Sequence, residues 1–141
     1  MLHDIYNAIK TQLAGITAAE NTQWFNMQYE NKGWPYRTGF FVEFPEQLAF
    51  DFVSNAARQA PLKVRVHVYA QQVQTHDGLP DSEVSAHETM ALSVKTALER
   101  FIPEKDGAKL AKPLLFSGWR HWHRLNGWMV TYVEFDSKLS L

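Results

Sequence analysis

Residues 62–72 constrain the fold of this chain more than any other part of the sequence. Apolar and polar side chains alternate along the whole segment, which is the two-residue period of a β-strand with one buried face. One face carries Val64, Val66, Val68 and Ala70, and the other carries Lys63, Arg65, His67 and Tyr69. We therefore expect a long strand with one side facing the core and one side facing solvent.

Two segments have the apolar spacing of amphipathic helices. The first covers residues 2–14, with Leu2, Ile5, Tyr6, Ile9 and Leu13 on its apolar side and Gly15 after its end. The second covers residues 84–101, with Met90, Val94, Ala97, Leu98 and Phe101 on its apolar side. Ser85 and Glu88 match a capping box at its start, and Pro103 follows its end.

Five further segments have the alternation of strands, namely residues 23–30, 38–44, 48–53, 114–125 and 128–135. The last two flank Asn126-Gly127, and an Asn-Gly pair between alternating segments strongly predicts a β-hairpin. Polar loops are expected over residues 74–81 and 104–113. The element order α-β-β-β-β-α-β-β favours an α+β fold, with a mainly antiparallel sheet and two helices packed on one face.

The composition limits the number of domains and the kinds of partner. The chain has 141 residues, 45% of them apolar, which fits a single domain over residues 1–141. Its net charge of −1 provides no field that would attract nucleic acid or an anionic membrane. No segment approaches the roughly 20 apolar residues of a membrane span, and the N-terminus lacks the pattern of a secretion signal. Because cysteine is absent, disulfides and thiolate chemistry are excluded.

His121 and His123 are the main candidates for a chemical site. Residues two apart on a strand point the same way, so the two imidazoles can share a metal ion. A third ligand is then needed, and the sequence offers His67, His76, His87 or a carboxylate without a motif that connects them. A histidine-rich and tryptophan-rich surface that faces solvent or a partner is therefore the favoured interpretation.

No catalytic residue is predicted. His67 lies on the polar face of the long strand, but no nucleophile motif or phosphate-binding loop accompanies it. His87 falls on the apolar side of the second helix, where a buried structural histidine is expected more often than a ligand. Glu43 and Asp51 lie on strands that can be neighbours, which alone does not indicate an acid–base pair. We therefore expect that the protein is not an enzyme.

Aromatic residues make up 13% of the chain, more than one small core can bury, so some rings are expected at contact surfaces. The candidate contact residues are Trp34, Tyr36, Arg65, His67, Tyr69, Trp119 and Trp122. Trp34-Pro35-Tyr36 is a predicted loop that either anchors an interface or folds its rings back over the sheet. Basic and aromatic residues also mix over residues 119–124, but the balanced charge argues against specific nucleic-acid binding.

The order and spacing of these segments resemble those of tailed-phage and prophage neck proteins, in particular the tail terminator or tail-completion group. The resemblance covers most of the chain: the N-terminal helix, residues 40–44, residues 62–69, the helix with Ala91, Val94, Ala97 and Leu98, and residues 128–135. It implies a subunit without catalysis or cofactor that self-associates into a ring, commonly a hexamer. Such a ring caps the tail tube and meets the head-side connector. It forms in the host cytoplasm and ends in the tail or neck of the virion.

Two other functions stay open. One is a small metal-binding protein or enzyme that uses His121 and His123, since six histidines and a tryptophan-rich hairpin are not features that the phage group predicts. The other is a monomeric module that binds a ligand or peptide in an aromatic-lined groove. A concentration-dependent oligomer favours the ring, bound zinc favours the metal protein, and a deep apolar pocket favours the binding module.

Overall fold

The structure, a computed structural model, describes residues 1–54, 56–71, 78–124 and 127–141, without the side chain of Arg124. Within these ranges lie two α-helices, eight strands and one short 3-10 helix. The helices are α1 (Leu2–Leu13) and α2 (Asp81–Leu98), and the 3-10 helix is Gln28–Glu30. The strands are β1 (Thr22–Trp24), β2 (Thr38–Glu43), β3 (Asp51–Ser54), β4 (Ala57–Gln71), β5 (Glu104–Lys105), β6 (Ala108–Lys109), β7 (Leu115–Arg124) and β8 (Trp128–Ser140).

One six-stranded sheet forms the centre of the protein. Its strand order is β1-β2-β4-β8-β7, and β3 pairs with the part of β4 that β2 does not reach. All neighbouring strands are antiparallel except β1 and β2, which are parallel. The predicted α+β fold with a mainly antiparallel sheet is therefore confirmed.

β4 and β8 form the longest strand pair, in unbroken register over residues 59–71 of β4 and 128–140 of β8. β4 is longer than predicted, because it begins at Ala57 and continues through Pro61, a residue that sheet interiors normally exclude. On its other side, β3 pairs as far as Gln59 and β2 begins to pair at Arg65. Pro61 therefore lies where β4 has a paired strand on one side only, which accommodates its missing N–H.

Both helices pack on the same face of the sheet, as predicted. The buried side chains between them include Ile5, Ile9 and Leu13 of α1, Met90, Val94 and Leu98 of α2, and Phe40, Val64, Val66, Val68, Val133 and Phe135 of the sheet. Burial of this apolar area is the main favourable contribution to folding. Neither helix has the length and apolarity needed to cross a membrane, and the described residues contain no other α-helix.

The two helices match their predicted boundaries to different degrees. α1 ends within one residue of the expected position, whereas α2 covers residues 81–98 instead of 84–101. The capping box predicted at Ser85 and Glu88 is wrong, because both residues lie inside the helix. Pro80 occupies the N-cap position, and Asp81 adds a negative charge to the first turn, where the helix dipole favours it.

The strand predicted over residues 23–30 is wrong beyond Trp24, where β1 ends. Met27 adopts a left-handed φ of 57°, and the 3-10 helix follows. The Gln28 side chain holds this turn, since its Nε2 donates to the Trp24 carbonyl at 2.8 Å and its Oε1 accepts from the Asn26 N–H at 2.7 Å. Local bonds between a side chain and the backbone thus replace the ladder of a strand.

Three predicted loops and turns have different outcomes. The linker predicted over residues 104–113 contains the hairpin of β5 and β6, whose turn uses left-handed φ values of 52° at Asp106 and 80° at Gly107. The predicted hairpin of β7 and β8 is confirmed by their antiparallel pairing, although Leu125 and Asn126 lie outside the described residues. Of the polar loop expected over residues 74–81, residues 74–77 lie outside the described residues.

The second face of the sheet is largely covered around His67 and Tyr69, so the predicted solvent-facing side of β4 is wrong for these two residues. His67 is 1% exposed and Tyr69 is fully buried, while Lys63 and Arg65 stay partly exposed. We call the residues on this face the aromatic layer: Tyr29, Phe41, Tyr69, Trp128 and Val130, with Phe25, Trp34, Trp122 and Tyr132 packed against them. Three of these rings belong to the connection between β1 and β2, which crosses the sheet and covers it.

We expect Gly39→Ala to destabilise the protein. A Cβ atom at Gly39 would overlap the Asn21 carbonyl oxygen and lie 2.6 Å from the Tyr69 hydroxyl, so β1, β2 and the aromatic layer would have to separate. The expected loss is about 1–3 kcal/mol of unfolding free energy. Gly15→Ala is the matched control, since a Cβ there meets nothing within 4 Å. Urea unfolding followed by tryptophan fluorescence measures both, and equal midpoints would contradict the expectation.

Candidate functional site

His67 lies within the aromatic layer and is bonded at both ring nitrogens. Its Nδ1 is 2.7 Å from the Tyr29 hydroxyl, and its Nε2 is 2.7 Å from Oε1 of Glu43. Phe25 stacks on the imidazole with a centroid separation of 4.3 Å. Because an ionised carboxylate only accepts hydrogen bonds, Nε2 donates to Glu43, and in the neutral imidazole Nδ1 then accepts from Tyr29.

Arg65 extends these bonds along the sheet. Its Nε donates to Oε2 of Glu134 at 2.8 Å, and its Nη1 donates to Oε1 of Glu43 at 3.3 Å. The hydrogen bond from His67, supported by the charge of Arg65, lowers the pKa of Glu43 despite its partial burial. We call Tyr29, Glu43, His67, Arg65 and Glu134 the polar network.

The geometry of the polar network indicates a structural role. His67 is buried and both of its nitrogens are engaged, so neither is in position to take a proton from a substrate. Glu43 and Asp51 also do not form a carboxylate pair. Their partners on β4 are Arg65 and Gln59, and six residues of strand span roughly 20 Å.

A second cluster of polar side chains lies on the helix-covered face, where β7, β8 and α2 meet. The Nε2 atoms of His121 and His123 are 3.3 Å apart. Oγ1 of Thr131 on β8 lies 2.9 Å from Nδ1 of His121 and 2.9 Å from Nε2 of His87 on α2. We call His87, His121, His123 and Thr131 the histidine group.

The protonation of His87 follows from its burial. Burial lowers the pKa of His87 to about 4, and the positive charges that His121 and His123 carry when protonated act in the same direction. Burial also lowers the pKa of His121, while the carboxylate of Glu88 opposes this shift. His87 is therefore neutral at pH 7, and its buried Nδ1 has no hydrogen-bond partner among the described residues.

The third metal ligand considered from the sequence is not supplied by the histidines that the structure describes. His67 lies on the opposite face of the sheet, where it is bonded to Glu43, and Nε2 of His87 is bonded to Thr131. His76 lies outside the described residues. Across the described ranges, no three or more histidine, aspartate or glutamate side chains are arranged to hold a metal ion.

The predicted contact residues divide into buried, partly buried and exposed groups. His67 and Tyr69 are buried within the chain and present no surface. Trp34 folds back over the sheet, because its Nε1 donates to the Tyr69 hydroxyl at 3.0 Å and its ring packs edge-on against Phe41. The residues that remain partly or largely exposed are Tyr36, Arg65, Trp119 and Trp122.

Sequence reasoning missed the most exposed apolar side chains on the strands. Phe52 is 72% exposed and is followed by the exposed Val53, both on β3. Leu115, at the start of β7, is 53% exposed. The alternation over residues 48–53 predicted a strand there but gave no sign that both of its faces are open.

A cleft of about 310 Å³ opens between the start of α2 and the ends of β2 and β4. Arg37, Glu83, His87 and Met90 are among its lining residues, so charged and apolar groups are mixed there. Arg37 and Glu83 form a long ion pair of 4.0 Å across exposed space. Among the described residues, phenylalanine, tyrosine and tryptophan are absent from the lining of this cleft, whereas Tyr6, Trp24 and Trp34 are among the residues that line a second cleft of about 800 Å³.

We expect Glu43→Gln to lower stability at pH 7 by about 1–3 kcal/mol, because the ionised carboxylate accepts hydrogen bonds from His67 and Arg65. The folded pKa of Glu43 lies below its unfolded value, so its stabilisation is full above the unfolded pKa and is lost as pH falls through the folded value. The difference between wild type and variant should therefore shrink below about pH 4.5. Urea unfolding at several pH values measures this, with exposed Glu30→Gln as the control. A difference that does not change with pH would contradict the expected charge effect.

Comparison with known proteins gives a structural match. No family model matches the sequence, and no curated protein matches it. Among the solved structures, a chain of the "virion of native gene transfer agent (GTA) particle" is similar, with a TM-score of 0.67 and 13% sequence identity. The match covers 96% of this chain and 94% of that chain. At this level of identity the two chains share a fold over nearly their full lengths.

Proposed function

We propose that the protein is a structural subunit of a phage or phage-like particle and works by self-association into a ring. The observation that carries this proposal is the shared fold with a chain of a gene transfer agent virion, over 96% of one chain and 94% of the other. The order of segments in the sequence, which resembles the tail terminator group, supports the same class of protein. The finer proposal is a tail terminator or head–tail joining subunit.

Two open edges of the sheet support the proposed ring. β7 ends the sheet on one side of β4, and β3 lies on the other side of β4. Within the described part of the chain, neither strand pairs with another strand along its outer edge. Open edges present unpaired backbone groups that a strand of a second copy can bond.

Apolar side chains accompany both edges. Leu115 and Trp119 are exposed on β7, and Phe52 and Val53 are exposed on β3. Two different surfaces on opposite sides of one subunit permit head-to-tail contacts, and such contacts close into rings when the rotation between subunits allows. The edge strands β3 and β7 are therefore the proposed subunit interface.

The proposed partners beyond a second copy are the tail tube and the head-side connector. A ring at that position meets one protein on each of its two open ends. Assembly in the host cytoplasm and a final place in the tail or neck follow from the same proposal. The exposed Tyr36 and the partly exposed Trp122 supply contact area away from the two edges.

We expect Phe52→Glu and Leu115→Glu each to prevent ring closure, because each places a charge on one proposed interface. Size-exclusion chromatography with light scattering, across a wide concentration range, measures the mass of each variant. Val84→Glu is the matched control, since Val84 is an exposed apolar residue on α2 and lies on neither edge. It should assemble as the wild type does.

Mixing the two variants tests the head-to-tail arrangement. Phe52→Glu keeps the β7 edge and Leu115→Glu keeps the β3 edge, so a mixture should form heterodimers that neither variant forms alone. A variant that dimerises by itself would contradict this arrangement. Wild-type protein that stays monomeric at every concentration would contradict self-association, and genomic neighbours encoding only metabolic proteins would contradict the particle proposal as a whole.

A further inference from the structure

We propose that His121 and His123 together bind a divalent d-block cation of the Zn²⁺ type through their Nε2 atoms. This site does not depend on ring formation, because both ligands belong to one chain and to one strand. The remaining positions of the cation would be filled by water, since the described residues supply no third protein ligand in a suitable arrangement.

The separation of the two nitrogens fits a shared cation. The Nε2 atoms of His121 and His123 are 3.3 Å apart. Two imidazole nitrogens bound to zinc at about 2.0–2.1 Å, at a tetrahedral angle, are about 3.3–3.4 Å from each other. The two side chains therefore need little rearrangement to bind the ion.

The strand that carries both ligands is held in place. β7 pairs with β8 along this stretch, with His121 opposite Thr131 and His123 opposite Met129. Residues two apart on a paired strand keep their side chains on one face at a fixed spacing. The entropy lost on binding is therefore smaller than for two histidines on a loop.

Thr131 supports the tautomer that metal binding requires. Its Oγ1 lies 2.9 Å from Nδ1 of His121, so an Nδ1–H can donate to it and leave the lone pair of Nε2 free for a cation. The Thr131 hydroxyl can then donate to Nε2 of the neutral His87, 2.9 Å away. Thr131 is buried, which keeps its hydroxyl oxygen in position beside His121.

Access and charge at the site favour a cation. His123 is exposed, so a hydrated ion reaches the pair from solvent. Glu88 on α2 is close enough to act electrostatically on His121, and its exposed carboxylate adds negative charge beside the pair. Without a cation, one Nε2–H donating to the other Nε2 accounts for the same 3.3 Å distance.

Titration with ZnCl₂ and NiCl₂ tests the proposal on protein without a histidine tag, first stripped with chelator. Isothermal titration calorimetry should show one cation per chain. At tenfold excess over Kd, the melting temperature should rise by about 3–5 °C. His121→Ala and His123→Ala should each abolish both effects, whereas His3→Ala, an exposed histidine on α1, should leave both unchanged.

A pair of substitutions at Thr131 tests whether its hydroxyl orients His121 for the cation. Thr131→Val removes the oxygen that orients His121 and should weaken Zn²⁺ binding by about 10-fold or more. Thr131→Ser keeps the oxygen and should retain the affinity. Binding measured well below the melting temperature of each variant separates this effect from a loss of stability.

Two results would overturn the proposal. One is the absence of saturable binding at one cation per chain by the wild type. The other is binding that persists in both His121→Ala and His123→Ala, which would assign the cation to other residues. Neither result concerns the mass of the assembly, so the metal site and the proposed ring are tested separately.

Discussion

The burial of β4 on both faces is the constraint on which the rest of the structure depends. Val66 and Val68 face the helices, while His67 and Tyr69 lie on the opposite face among the rings of the aromatic layer, and all four are nearly inaccessible. A strand covered on both sides cannot slip by one residue without exchanging its valines for an imidazole and a phenol. The register of β4 with β2 and β8 is therefore fixed, and with it the position of the other strands in the six-stranded sheet.

The buried imidazole of His67 imposes a second requirement. A polar ring removed from water needs its hydrogen bonds satisfied within the protein, at a cost of roughly 1–3 kcal/mol for each that is lost. Tyr29 and Glu43 meet this need, and Arg65 then balances the charge of Glu43. The connection between β1 and β2 must cross the sheet to deliver Tyr29, which explains why that connection folds into a tight turn instead of continuing as a strand.

The sequence predicts the helix-covered face well because hydrophobic periodicity is a direct signal of burial. Val64, Val66 and Val68 are buried beneath the helices, as are most apolar residues predicted for both helices. Phe101 is an exception, because it packs against the core from beyond the end of α2. The aromatic layer is not predicted from the sequence, for a physical reason. Tyr69 and His67 carry polar atoms, so an alternating pattern predicts that they face solvent. Their burial depends on hydrogen bonds to residues distant in the sequence, namely Trp34, Tyr29 and Glu43.

The candidate sites are likewise predicted in part from the sequence. The two-residue spacing of His121 and His123 predicts their shared direction, but not the Thr131 hydroxyl that orients one of them, because that contact depends on the register of β7 with β8. On β7, the metal ligands and the open edge point in different directions. Side chains project from the faces of a strand, whereas its free backbone groups point sideways from the edge. A cation held by the two imidazoles would therefore leave the backbone groups along the β7 edge open to a strand of a neighbouring subunit.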